Sequence, residues 1–297
     1  MIATMETALV TLRFVQFAAA MVLFGAPVFA LALGLRIPAG SAVRRNFDRW
    51  LRRCLVAAAI AALASAALWL DLEAGIMGNG WDRTLDPGTI ALVLFDTMFG
   101  RAWCWHLGFA AALVGAILLA PARFGMIAVL GAALVASLAW AGHGVMHPGL
   151  GHVAVLAVHL LAGALWLGSL PALLHLLAKA RLDRSPEWQD ALSYMLPLYS
   201  RAGYVAVILV LATGILNSLF LVASIGDLAT TPYGRVLLVK IALVLVMVGI
   251  AAVNRFVLMP RRAAGSLRLS VAIELGTGGL VLAAVSILGT LPPAMAS

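Results

Sequence analysis

The stretch 153–178, VAVLAVHLLAGALWLGSLPALLHLLA, runs for 26 residues without a charged side chain. That is too long for a buried strand, and a helix needs only about 20 apolar residues to cross a hydrocarbon core ~30 Å thick. Working outward in both directions, comparable runs fall near 9–35, 54–72, 102–120, 124–142, 202–224, 235–258 and 269–291, which makes eight expected spans. A membrane barrel would show shorter segments of alternating hydrophobicity instead. The composition agrees: 64% hydrophobic, 11% charged and a mean hydropathy of +1.06, against about 45–50% apolar and about 25% charged residues in soluble domains. The 297-residue chain is therefore read as an all-α, polytopic integral membrane protein with eight transmembrane helices, forming a single domain over residues 1–297. The first run has no basic segment ahead of it, carries Arg13 near its start and continues to Leu35. It is read as a retained helix and not a cleaved signal. Segment 87–101, PGTIALVLFDTMFGR, is apolar but too short for a span and holds Asp96 and Gly100, so it is expected to form a short outer-surface helix before the third span. No internal repeat stands out.

Orientation follows from the basic residues. Arg36, Arg44, Arg45, Arg49, Arg52 and Arg53 follow the first span, and Arg123 follows the third. Lys179, Arg181, Arg184 and Arg201 follow the fifth, and Arg255, Arg261, Arg262 and Arg268 the seventh. These connections all lie on one side and carry 15 of the chain's 20 basic residues, while the alternate ones hold mainly Asp71, Glu73, Asp82, Asp86 and Asp227. The positive-inside rule places the basic side in the cytoplasm and both termini outside. The net charge of +8 is thus a topology signal with a possible lipid-headgroup contact, and no aromatic interleaving points to nucleic acid.

Four of the six histidines crowd into 142–168, GHGVMHPGLGHVAVLAVHLLAGALWLG. His143, Met146, His147 and His152 lie in the outer loop between the fourth and fifth spans. His159 lies about 10 Å farther along the fifth helix at 1.5 Å per residue. Seven-residue spacing puts His152, His159 and Trp166 on one stripe, with Gly163 expected to admit a close neighbour. His106, on the third span, starts from the same outer surface. An ionisable side chain inside a bilayer is costly, which makes these histidines functional candidates. Imidazole with a thioether suits copper, especially Cu(I), whereas hard cations would call for carboxylates that the segment lacks. Histidine spacing by itself does not separate copper from zinc. His175, near the cytoplasmic end of the fifth helix, is read as a structural hydrogen-bonding group. Cys54 and Cys104 fall at opposite membrane faces and so are not expected to pair. Cys104 is two residues from His106, which puts the two on different helix faces.

In its motifs the chain resembles the CopD-type copper resistance membrane proteins. The residues that carry the resemblance are TMFGRAW at 97–103, HLLAGALWLGSL at 159–170, TGILNS at 213–218, YGRVLLVK at 233–240, NR at 254–255 and Glu274, clearest over 97–290. The resemblance implies an inner-membrane protein of eight helices that moves copper from periplasm toward cytoplasm or confers copper tolerance, working with a periplasmic copper-binding protein. The family often has a histidine in the outer half of the first helix, where this chain has Gln16. Candidate metal contacts are His143, Met146, His147, His152, His159 and His106, with Trp166, Asn217, Lys240 and Glu274 in support. Asn217 and Lys240 are matched in depth near the outer face, and Asn254 and Glu274 near the inner one. Lys240 is expected either to snorkel outward or to brace Asn217 or Asp96, and not to bind metal itself. Two other readings stay open: a haem b electron-transfer protein (a copper reductase) with His106 and His159 as axial ligands, and a non-transporting subunit that docks a periplasmic copper carrier. Only the haem reading would make the protein an oxidoreductase. No nucleotide-binding motif is present.

Overall fold

The computed structural model describes residues 2–141, 150–261 and 264–294. The elements run in the order α1 (Ile2–Gly34), α2 (Ala42–Met77), α3 (Pro87–Asp96), α4 (Met98–Leu119), α5 (Phe124–Ser137), α6 (Leu150–Leu182), α7 (Pro186–Leu221), α8 (Asp227–Thr230), α9 (Pro232–Val253) and α10 (Ala264–Leu288). A 3₁₀ turn continues α5 to Trp140, and π-helical turns continue α9 from Asn254 to Leu258. Among the described residues there is no strand, and seven helices are long and apolar enough to cross a membrane. The helix at Phe124–Trp140, where the fourth span was expected, is apolar but shorter than those seven. Of segment 87–101, expected to form one short helix, Pro87–Asp96 makes α3 and the residues from Met98 onward begin α4.

Two expected boundaries move. The basic stretch after the first span is not a loop: α2 starts at Ala42, capped by the Ser41 hydroxyl on the Arg44 amide at 3.1 Å. Arg44 is buried, pairs with Asp48 at 2.8 Å and donates to the Ala30 carbonyl at 3.1 Å. Likewise α7 starts at Pro186, well before the expected 202. Hydropathy marks where a helix meets lipid, not where its hydrogen bonding ends, so both helices extend past the apolar run on the basic side.

The chain also contains an internal repeat that the sequence reading did not find. α1 and α6 have 33 residues each, α2 and α7 36 each, and α4 and α9 22 each. Each half places a short helix, α3 or α8, before the third long one. Once the helices are paired, the sequences fall into register: VQFAAAMVLFG at 15–25 with VHLLAGALWLG at 158–168, LASAALW at 63–69 with LATGILN at 211–217, and TMFGRAWCWH at 97–106 with TPYGRVLLVK at 231–240. Local structure repeats as well. Thr97 caps α4 through the Gly100 amide at 2.9 Å, and Thr231 caps α9 through the Gly234 amide at 3.0 Å. A Cβ on Gly100 would strike the backbone at Val93 and Leu94, and one on Gly234 the backbone at Asp227 and Leu228, so each glycine seats the preceding short helix. Few residues are identical, because a lipid-facing or buried position accepts almost any apolar side chain; this is why the repeat escapes inspection of the sequence.

α1 and α6 pack against one another at the centre. A Cβ on Gly25 would fall on the backbone of Ala164 and Gly168, and one on Gly168 on that of Met21. In repeat register Met21 corresponds to Ala164 and Gly25 to Gly168, so the contact is reciprocal, as two parallel repeats about an axis along the membrane normal require. Small residues permit this close backbone approach, which drives helix association where no water is present to be expelled. Gly163, expected to play that part, meets only the Met21 methyl at an ordinary 3.8 Å.

Candidate functional site

The repeat makes two sites comparable. The first half places Gln16, Ser65, Trp69, Trp103 and His106 where the second places His159, Thr213, Asn217, Leu237 and Lys240.

In the first half each polar side chain of this set is engaged. His106, 0% exposed, meets the Gln16 amide nitrogen through Nε2 at 2.7 Å and the Ser137 hydroxyl through Nδ1 at 2.7 Å. Ser65 donates to Gln16 Oε1 at 2.6 Å. Trp103 stacks on the His106 ring with centroids 4.5 Å apart and donates its indole N–H to the Ala66 carbonyl at 2.9 Å, while Trp69 fills the space beside it, centroids 4.6 Å apart. Gln16, at the position where the family often has a histidine, is the residue that ties α1 to α4.

The second half leaves space. Trp69 is replaced in register by Asn217 and Trp103 by Leu237, and both replacements line a cavity of about 130 Å³ together with His152, His159, Gly214 and Lys240. His159 meets the Thr213 hydroxyl through Nδ1 at 2.9 Å. Asn217 is 8% exposed, yet neither its amide nitrogen nor its oxygen has a hydrogen-bond partner among the described residues. Buried amides are almost always satisfied, so such a pair of orphan atoms calls for an explanation. Lys240 braces neither Asn217 nor Asp96, contrary to expectation: Asn217 bonds to nothing described, and no ion pair within 4.0 Å joins Lys240 to a carboxylate. His152, expected in the outer loop, lies instead in the first turn of α6, because that helix begins before the apolar run, and is buried beside the cavity with its ring against Phe220, centroids 4.7 Å apart.

Toward the basic side, the second half holds another polar group. Glu274 is 3% exposed and accepts from the Trp166 indole at 2.7 Å and from the Asn254 amide at 2.9 Å. Asn254 opens the π-helical segment of α9, a local widening often found at functional sites. Its Oδ1 has no partner among the described residues. Glu274, Asn254, Arg255 and Trp166 line a second cavity, of about 140 Å³. The stripe on α6 is therefore divided: His152 and His159 face the first cavity, toward the expected outer side, and Trp166 the second, toward the basic side.

His143, Met146 and His147 lie outside the described residues, so the structure says nothing of the outer cluster. Among the described residues no three His, Cys, Asp or Glu side chains come together as a metal centre. His175 makes no hydrogen bond through Nε2 and instead stacks on Trp50, centroids 4.1 Å apart and rings 7° from parallel. Cys54 is half-buried, Cys104 is exposed, and both are free thiols. The His106–His159 pair does not fit a haem. Both ring nitrogens of His106 are hydrogen-bonded, a tryptophan covers its face, and the cavity beside His159 is well below the roughly 300–1,000 Å³ of ligand-sized pockets.

These features define a polytopic helical membrane protein of two parallel repeats, with one closed polar site and one open one. The family description "Copper resistance protein D-like, N-terminal domain" matches residues 3–153, and "Copper resistance protein D" matches residues 193–288. The chain belongs to the copper resistance protein D family. It is 33% identical over 296 residues to the inner membrane protein YebZ of Escherichia coli (strain K12), covering 96% of this chain and 98% of that one. To the copper resistance protein D of Pseudomonas syringae pv. tomato it is 33% identical over 308 residues, covering 96% and 97%. To the copper transport protein CutJ of Bacillus subtilis (strain 168) it is 28% identical over 228 residues, covering 72% of this chain and 41% of CutJ. No solved structure matches it.

Proposed function

We propose that this protein moves copper across the bacterial inner membrane, from the periplasm toward the cytoplasm, with both termini periplasmic, and that the second repeat carries the ion. The observation behind this reading is the difference between the repeats. At equivalent positions one is filled by two tryptophans and fully hydrogen-bonded, while the other keeps a cavity beside His159 with an unsatisfied amide. A transit site must bind cargo well enough to admit it and loosely enough to release it. Two imidazoles without a full ligand shell suit that requirement for Cu(I). His143, Met146 and His147 collect the ion at the outer surface, delivered by a periplasmic copper-binding protein, and His152 and His159, lining the cavity, receive it. Glu274, on α10, and Asn254, at the end of α9, offer oxygen atoms on the inner side beside Trp166, which lies seven residues and roughly 10 Å along α6 from His159 at 1.5 Å per residue. The names of the relatives support the same assignment, and the protein acts as a carrier and not as an enzyme.

The test is copper uptake by cells, measured as cell-associated metal, with the protein at equal membrane abundance. His159→Gln keeps a hydrogen-bonding group but supplies a poor soft-metal ligand, so uptake should fall to the level of cells lacking the protein. Normal uptake in that variant overturns the reading.

A further inference from the structure

The outer cavity carries more positive charge than a route for a bare cation should. Its basic lining residues are Arg13, His152, His159 and Lys240, Tyr233 adds a phenol, and among the described residues no aspartate or glutamate lines it. Arg13 is 7% exposed, and its Nε has no hydrogen-bond partner among the described residues. A guanidinium remains charged in any protein environment. It lies over the Trp69 ring, 4.6 Å from the centroid, and against Gly289, where a Cβ would overlap the guanidinium nitrogens. The nearby carboxylate, Glu73, accepts from the Trp69 indole at 3.1 Å and makes no ion pair with Arg13 within 4.0 Å. A buried charge without a paired counter-charge is strongly unfavourable, and Arg13 and Lys240 share this cavity with the unsatisfied Asn217 amide, which has two donors to offer.

We propose that the outer cavity is a binding site for a small inorganic anion of the halide class, held by the guanidinium of Arg13, the ammonium of Lys240 and the Asn217 amide. A cavity of about 130 Å³ has the liquid volume of roughly four waters, room for a halide with part of its hydration shell and not for an organic cofactor. The anion would neutralise the cationic wall. It would also let copper(I) pass beside His159 as a neutral or anionic halide complex, a consequence that rests on the transport reading above. The anion site itself rests on the cavity's own charge and stands without copper.

The experiment uses the full chain in phosphatidylcholine nanodiscs without copper, with radiolabelled chloride as the probe and gluconate keeping ionic strength constant. Saturable binding at one chloride per chain is expected, with at least tenfold weaker binding in Lys240→Met and in Arg13→Gln. Asn217→Leu, which removes the amide and no charge, should weaken it less. Should Arg13→Gln fail to fold, Lys240→Met carries the same test, since Lys240 makes no described contact that holds helices together. Absence of saturable chloride binding, or binding unchanged in Lys240→Met, overturns the proposal. A second arm compares copper uptake into vesicles in chloride and in gluconate. Chloride binding with chloride-independent uptake would retain the anion site and sink only the halide-complex route, whereas lost uptake in His159→Gln with intact chloride binding separates the two sites' chemistries.

Discussion

The two halves of this chain differ less in backbone than in what fills it. Helices of equal length in the same order hold Gln16, Ser65, Trp69, Trp103 and His106 in one half and His159, Thr213, Asn217, Leu237 and Lys240 in the other. The first set closes on itself: indole rings occupy the volume, and amide, hydroxyl and imidazole satisfy one another. The second has lost both indoles, and what remains is a cavity lined by cations and an unsatisfied amide. Buried polar networks stabilise a structure when complete and are costly when incomplete. On the reading proposed above, one repeat is built for stability and the other for binding, and a histidine in the membrane means different things in each.

The largest expected effect comes from breaking what the halves share. Gly168→Leu places a side chain where the Met21 backbone now lies, so α1 and α6 cannot approach. The variant should be nearly absent from membranes by immunoblot, whereas Gly163→Leu, at a position with only a methyl 3.8 Å away, should accumulate close to normally. Equal accumulation of the two would remove α1–α6 packing from the centre of the fold. The next effect comes from making the second half like the first. Asn217→Trp introduces the residue found at the equivalent Trp69 and fills the cavity. Copper uptake should fall to background while the protein still reaches the membrane, and uptake that survives in a stably inserted variant would show that copper does not use this cavity.

How much of this could be read from the sequence depends on the kind of signal. Helical class and the short surface helix were legible because lipid imposes a minimum apolar length and α3 falls short of it. The beginnings of α2 and α7 were not, because helices outrun the bilayer where basic side chains can face water and headgroups. His159, Asn217, Lys240 and Glu274 were legible as polar groups in apolar runs. The partners of His159 and His106 were not: Thr213 and Gln16 look like ordinary uncharged residues, and a pairing across 54 or 90 positions leaves no local spacing to read. The signal that would have found them was the T-x-[FY]-G-R motif at 97–101 and again at 231–235, which sets His106 opposite Lys240 in register. The outer histidine–methionine cluster stays a sequence expectation, since it lies outside the described residues.

A smaller effect tests the closed site. His106→Ala strands the Gln16 amide and the Ser137 hydroxyl and leaves a gap beneath Trp103. The expected loss is about 2–4 kcal/mol, the sum of a cavity and unsatisfied buried partners. It should appear as a lower melting temperature in detergent, with copper uptake per folded molecule retained. Gln16→Leu should also destabilise, since it removes the partner of both His106 and Ser65. If either change abolishes uptake without lowering stability, the first repeat takes part in transport and the contrast between the halves is wrong.

The smallest effect sets one hydroxyl against its counterpart. Ser65 donates to Gln16 at 2.6 Å, and Thr213 meets His159 at 2.9 Å, at equivalent positions on α2 and α7. Ser65→Ala and Thr213→Val each remove one interhelical hydrogen bond while keeping similar shape, and such bonds average ~0.6 kcal/mol in membranes. Stability should therefore change little, and by similar amounts, in the two variants. Function should separate them. Ser65 supports a group already held by other partners, so Ser65→Ala should transport copper normally. Thr213 is the described hydrogen-bond partner of the His159 ring, so Thr213→Val frees that ring to turn beside the cavity, and uptake should drop several-fold through a weaker apparent affinity more than a lower maximal rate. Matching uptake curves for the two variants, at matching stability, would mean that His159 needs no orientation and that the second repeat is as structural as the first.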